Sequence, residues 1–177
     1  LIRSEIDMPP GIFIFEDPPE HTVHRSLLSR VFTPRKVSAI EPKIREFCAR
    51  SLDPLVGSGG FDFIADLGAK MPMRTIGMLL GIPEQDQDVL KAKMDDGLRL
   101  EEGAMPDLDA QYGDRDGDGI FGEYIDWRAE HPSDDLMTEL LQAEFEDVDG
   151  ERRRLTREQV LGYVGLLASA GNETTAR

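Results

Sequence analysis

Gly171, Glu173 and Thr174, close to the carboxyl end, carry the most pointed chemistry in the chain. They end an apolar helical run, where Gly171 costs about 1 kcal/mol against alanine and the β-branched Thr174 and Thr175 add to the cost. Residues that weaken a helix while it continues imply a purpose other than helix stability. From Val160, the apolar or small positions Tyr163, Val164, Leu167, Ala168 and Gly171 fall on one face at the 3.6-residue period, and Thr174 continues it. Thr174 then stands over Ala170 and Gly171. Its hydroxyl can bond back to the carbonyl of Ala170, loosening the helix and opening a polar notch beside side chains too small to fill it. Glu173 turns about 100° away and flanks that notch, where a carboxyl could ferry protons. Thr175 turns away from it and reads as packing.

A second constellation lies in Asp17-Pro18-Pro19-Glu20-His21-Thr22-Val23-His24-Arg25. Asp17 suits an N-cap, Pro18 the first helical position, and Glu20 the third, where it can reach back to a free amide. His21 and Arg25 are spaced i, i+4, so they share a face and offer two donors to one anion. His21 and His24 at i, i+3 could suggest zinc, but no third ligand is close in sequence and the other histidine is His131.

These sites need helices to position them, and the chain reads as almost entirely helical. Periodicity with glycine and proline punctuation predicts helices near 18 to 32, 35 to 56, 65 to 80, 84 to 101, 118 to 131, 134 to 143 and 157 to 177. Phe61-Asp62-Phe63 alternates and could form one short strand or lead into the helix that follows, and residues 145 to 154 centre on Asp149-Gly150 and read as a small hairpin. The helix over Ile40, Ile44, Phe47, Cys48, Leu52 and Leu55 has one apolar face, which makes Cys48, the only cysteine, a core thiol with no glycine-rich loop to present it to a metal. A lone cysteine excludes an intramolecular disulfide.

Charge is unevenly placed. Residues 21 to 50 hold seven basic side chains, Arg25, Arg30, Arg35, Lys36, Lys43, Arg45 and Arg50, against Glu41 and Glu46, a local +5 within a chain of net charge −15. A basic island on an acidic body suggests an anionic protein partner, and the acidic remainder argues against nucleic acid. The longest apolar run, near Val160 to Ala170, falls short of the about 18 residues of a membrane span. Asp114-Arg115-Asp116-Gly117-Asp118-Gly119 matches the first half of a calcium loop, but position twelve is Ile125 where a bidentate glutamate should close the site.

Taken together, the two chemical segments resemble the cytochrome P-450 family of haem-thiolate monooxygenases, in bacterial form. Asp17 to Arg25 with Arg30-Val31-Phe32-Thr33-Pro34-Arg35 resembles the family's helix C. Ile76-Gly77-Met78-Leu79-Leu80-Gly81-Ile82-Pro83 resembles the end of helix E, Asp134 to Leu141 helix H, and Leu167 to Thr175 the central helix I. The family's Glu-x-x-Arg helix and its cysteine loop, which supplies the axial iron ligand, are not among these 177 residues. The reading is therefore a mainly α, partial cytochrome P-450 fold running from before helix C to helix I, residues 1–177 forming a single incomplete domain.

The resemblance implies a cofactor, heme b (iron protoporphyrin IX), and electrons from NAD(P)H through redox partners. It also implies roles: His21 and Arg25 holding the haem propionates, Ala170 and Gly171 leaving room for dioxygen, and Glu173 and Thr174 as catalytic residues that deliver protons. The axial ligand, and hence any metal ligand, is absent from the chain. The expected activity of the parent protein is hydroxylation of a hydrophobic small molecule, with Met8 to Phe15 and Leu98 to Met105 adding apolar contacts. A ferredoxin-type donor would dock at the basic patch from Arg25 to Arg50, in the cytoplasm. Against this stands a non-catalytic helical binding or calcium-binding module using Asp114, Asp116 and Asp118.

Overall fold

The computed structural model describes the backbone of residues 11–97 and 121–176, and the side chains of these except 95–97 and 173–176. Within them the chain forms α1 (Glu20–Val31), α2 (Pro34–Leu52), α3 (Met71–Leu80), α4 (Glu84–Gly97), α5 (Gly122–Glu130), α6 (Leu136–Gln142), a hairpin of β1 (Glu144–Glu146) and β2 (Arg152–Arg154), and α7 (Arg157–Ala176). The expected helices are present with boundaries within a few residues, except that the segment read as a helix from 65 splits into a π-helical turn at Ile64–Gly68 and α3. The expected continuation of α4 to 101 and the start of a helix at 118 lie outside the described residues, as do the calcium-like loop from Asp114 to Gly119 and the apolar stretch from Leu98 to Met105.

Helix ends follow local chemistry. The hydroxyl of Thr156 accepts from the Gln159 amide at 3.2 Å while the Gln159 carboxamide oxygen accepts from the Thr156 amide at 2.9 Å, a reciprocal capping box at the start of α7. Asp135 caps α6 by accepting from the Thr138 amide at 2.8 Å. At the other end of α3, Gly81 takes φ of 72°, and the amides of Gly81 and Ile82 both return to the carbonyl of Gly77.

Two local expectations are corrected. Asp17 is not the cap of α1: the cap position is Pro19, without a side-chain bond, and it is the Asp17 backbone carbonyl that accepts from the His21 amide at 3.2 Å. Prolines at 18 and 19 have no N–H, so a side-chain cap at Asp17 would have had few donors to satisfy. Phe61 to Phe63 is not a strand. The Asp62 carboxylate accepts from the amides of Ile64 and Ala65, each at 3.0 Å, and so starts the helical turn that follows.

The core is one cluster around α7, whose Val160, Tyr163, Val164 and Ala168 are fully buried. α3 makes the most extensive contact with it, and α5 and α6 close other sides. The hairpin pairs Glu144 with Arg154, Phe145 with Arg153 and Glu146 with Arg152, and points Phe145 inward. No helix among the described residues is long and apolar enough to cross a membrane.

Candidate functional site

The environment of α7 changes along its length. From Val160 to Leu166 every residue is buried, whereas Ala170 is exposed, Gly171 is half-buried and Asn172 is buried again. One face of the helix therefore opens near its carboxyl end. Tyr163 and Ala170 are seven residues apart, so they share a stripe and stand about 10 Å apart along the axis. α1 meets the stripe at Tyr163, whose hydroxyl donates to the His24 carbonyl at 3.2 Å, and the stripe is exposed at Ala170. Burial pushes the Tyr163 phenol above its ordinary value, with a smaller push from Glu16, so this hydroxyl stays a donor. The helix runs on through Glu173 and Thr174, placing Thr174 one turn beyond Ala170; the side chains of both lie outside the described residues.

Gly171 turns toward α3. A Cβ there would lie 2.6 Å from Cδ1 and 2.9 Å from Cγ1 of Ile76, so a residue singled out for the room it leaves also lets the two helices approach closely.

On α1, His21 is half-buried with its ring 6.1 Å from that of Phe13, and Arg25 is exposed. Neither side chain makes a hydrogen bond or ion pair with a described residue. His24 sits between them in sequence but faces elsewhere: its Nδ1 is 2.6 Å from Glu16 Oε2, and its ring meets Phe145 and Tyr163 edge to face. Spacing alone gave no sign of that pair, which joins α1 to the irregular segment before it.

Several of the island's cations are already partnered. Lys36 pairs with Glu139, Arg45 with Glu41, and Arg50 with Glu46 and Glu84. Arg25, Arg30, Arg35 and Lys43 are exposed and have no ion pair with a described residue. The free positive charge thus concentrates on α1 and the first half of α2. A cleft of about 460 Å³ lies among Leu80, Pro83, Tyr124, Trp127 and Met137, with no lining residue from α1 or α7, so it is separate from this site.

The donor set fits a flat apolar group bearing carboxylates. His21 and Arg25 offer donors with no hydrogen bond or ion pair to a described residue, the exposed Ile14 and Phe15 offer apolar surface just before α1, and Ala170 is exposed farther along the α7 stripe. The helices and the small hairpin form a mainly α, partial cytochrome P-450 fold. The chain belongs to the cytochrome P-450 family, whose members carry haem.

It is 38% identical over 168 residues to cytochrome P-450 109 of Bacillus spizizenii, covering 90% of this chain and 40% of that protein. It is 33% identical to a steroid C26-monooxygenase of Rhodococcus jostii, covering 98% of this chain and 36% of the relative. Among solved structures it is similar to cytochrome P-450 CYP109Q5 from Chondromyces apiculatus, with a TM-score of 0.74 at 33% identity over 98% of this chain and 41% of that one. CYP105P1 in complex with filipin I gives a TM-score of 0.76 at 27% identity over 96% of this chain and 41% of that one. No family model matches the chain. The chain spans roughly two fifths of the length of these curated relatives, 40% for the first.

Proposed function

We propose that the protein carrying these residues is a haem-thiolate monooxygenase that activates dioxygen and hydroxylates a hydrophobic small molecule. The observation that carries the reading is an exposed Ala170 on the α7 stripe whose Tyr163 bonds to α1, together with His21 and Arg25 on α1, which have no hydrogen bond or ion pair with a described residue. Haem, when bound with a thiolate ligand, would supply the redox chemistry for cleaving dioxygen and oxidising a C–H bond. Cys48 is not proposed as that thiolate, because it lies inside α2 with no loop to present its sulfur.

Arg25 would hold a carboxylate of the cofactor by a charge-assisted hydrogen bond, and His21 would donate a second hydrogen bond to it. Ala170 keeps the reacting face free of side-chain bulk, and Gly171 holds α7 tight to α3 so that the opening stays in place. Thr174 and Glu173 are the catalytic residues of this reading, the hydroxyl of the first as a hydrogen-bond donor and the carboxyl of the second as a proton relay from solvent. Ile14 and Phe15 add apolar surface suited to a hydrophobic substrate, in keeping with relatives named steroid monooxygenases. Arg30, Arg35 and Lys43, together with Arg25, form the docking face for an acidic ferredoxin-type protein that passes on electrons from NAD(P)H, and the cytoplasm supplies both.

The test is the carbon monoxide difference spectrum of the reduced full-length protein. The expected result is the red-shifted Soret band of thiolate-ligated haem. A protein that binds no haem, or one with the spectrum of an imidazole-ligated haem, overturns the reading.

A further inference from the structure

We infer that Glu16 and His24, backed by Phe13 and Tyr163, form a clamp that fixes the rotation of α1 and so positions His21 and Arg25; this rests on the reading of those two as haem carboxylate anchors. The amino end of α1 needs such a device because it has no side-chain cap. Instead, Nδ1 of His24 lies 2.6 Å from Glu16 Oε2, with the two side chains 12% and 29% exposed. A contact that short, with a carboxylate acceptor in a half-buried place, is among the stronger hydrogen bonds available to a protein. It ties the first turns of α1 back to the segment that leads into it.

The imidazole has little freedom to leave. Its ring stands edge to face with Phe145 of β1, at 5.8 Å and 74°, and with Tyr163 of α7, at 6.5 Å and 84°. The Tyr163 hydroxyl holds the His24 carbonyl from the other side. Phe13, buried, lies 5.2 Å from the Tyr163 ring and 6.1 Å from that of His21, so the same aromatic group that touches the clamp also backs the first anchor. Upstream, Gly11 with φ of 86° passes so close to the Gln159 backbone that a Cβ would overlap it, which pins the segment beneath the start of α7. Three elements, the segment before α1, β1 and α7, thus converge on one turn of α1. Arg25 follows His24 directly, and the tip of a long side chain magnifies any rotation of its helix. Glu16 and His24 are positioning residues on this account, and neither touches the cofactor.

The test uses the full-length holoprotein and two readouts: the rate of haem transfer to an excess of a haem-scavenging globin, and the propionate bending band in resonance Raman. Arg25→Ala sets the scale. Glu16→Ala and His24→Leu are each expected to speed haem release about tenfold and shift the propionate band, as loss of a supporting partner does at other cofactor sites. His24→Asn, whose Nδ2 stands where the imidazole Nδ1 does and keeps a donor for Glu16, is expected to return both toward the parent values. If Arg25→Ala speeds release while Glu16→Ala and His24→Leu release haem at the parent rate with an unmoved band, the clamp is wrong and the anchor reading stands. If Arg25→Ala itself changes neither readout, the anchor reading fails and the clamp falls with it. Should His24→Leu not fold, Glu16→Ala against Glu16→Gln decides the same question, with Gln expected to keep the band near the parent position.

Discussion

Arg25 and Arg128 show how differently one residue type is treated in two regions of the molecule. Arg128, on α5, is 12% exposed and donates to the carbonyls of Gly81 at 2.9 Å and His131 at 3.2 Å. It also pairs with Asp135, itself 5% exposed, at 2.9 Å, and stacks 4.9 Å over Trp127. That knot ties the end of α3, α5 and the start of α6 together. Arg25 is exposed and has no hydrogen bond or ion pair with a described residue. Partnering inside the protein marks the first arginine as structural. The second is exposed and unpaired among the described residues, as the proposed anchoring role requires.

The comparison breaks if the two arginines contribute alike to stability, and this is the largest effect expected. Removing one partner of a buried pair leaves the other charged and uncompensated, so Arg128→Ala or Asp135→Ala should cost about 3–5 kcal/mol, with Asp135→Ala also losing the cap of α6. Arg25→Ala should stay within about 0.5 kcal/mol, as surface substitutions generally do. Chemical denaturation of the three variants checks this, and comparable losses at positions 25 and 128 would remove the distinction. Gly81 belongs to the same knot: a side chain there would enter the Asp135 carboxylate and force an L residue to φ of 72°, so Gly81→Ala should behave like a core mutation.

A middle-sized effect sharpens the contrast along α7. Gly171→Ala places a methyl 2.6 Å from Ile76 Cδ1, so α3 and α7 must part or Ile76 must change rotamer, at a cost of about 1–3 kcal/mol. Adding Ile76→Ala removes the clashing atoms, and the double variant should recover most of what Gly171→Ala loses. A double-mutant cycle by thermal unfolding reads the coupling directly. No coupling would mean that Gly171 serves only the open face.

Most of the fold was legible because its signals are local. The helix of residues 34 to 52 carries proline at its first position, α3 ends at Gly81 with Pro83 beyond, and the hairpin turns at Gly150, so punctuation and period agreed. The failures have local causes too: two prolines without N–H groups at the start of α1, and Asp62 capping a turn where alternation alone reads as strand. The site divides differently. His21 with Arg25, and Ala170 with Gly171, are visible as helical spacings. Glu16 with His24, Arg128 with Asp135, and Gly171 with Ile76 exist only once separate elements pack, and no spacing encodes them.

The smallest effect tests whether burial, rather than charge pairing itself, separates the two regions. Glu144 and Arg154 face each other across the hairpin at 2.7 Å, a geometry as close as that of Arg128 and Asp135, but both are exposed. The hydrogen bond from Arg154, and then its charge, hold the Glu144 carboxyl below its ordinary value of 4.5. A folded value below the unfolded one stabilises the protein above about pH 4.5, and that contribution fades as the pH falls through the folded value. Arg154→Ala should bring the Glu144 midpoint back toward 4.5 in a carboxyl NMR titration while barely moving the unfolding transition at neutral pH, because water screens an exposed pair. A loss as large as that of Arg128→Ala would show that pairing, wherever it occurs, holds this fold, and exposure would no longer tell a structural arginine from one left for a ligand.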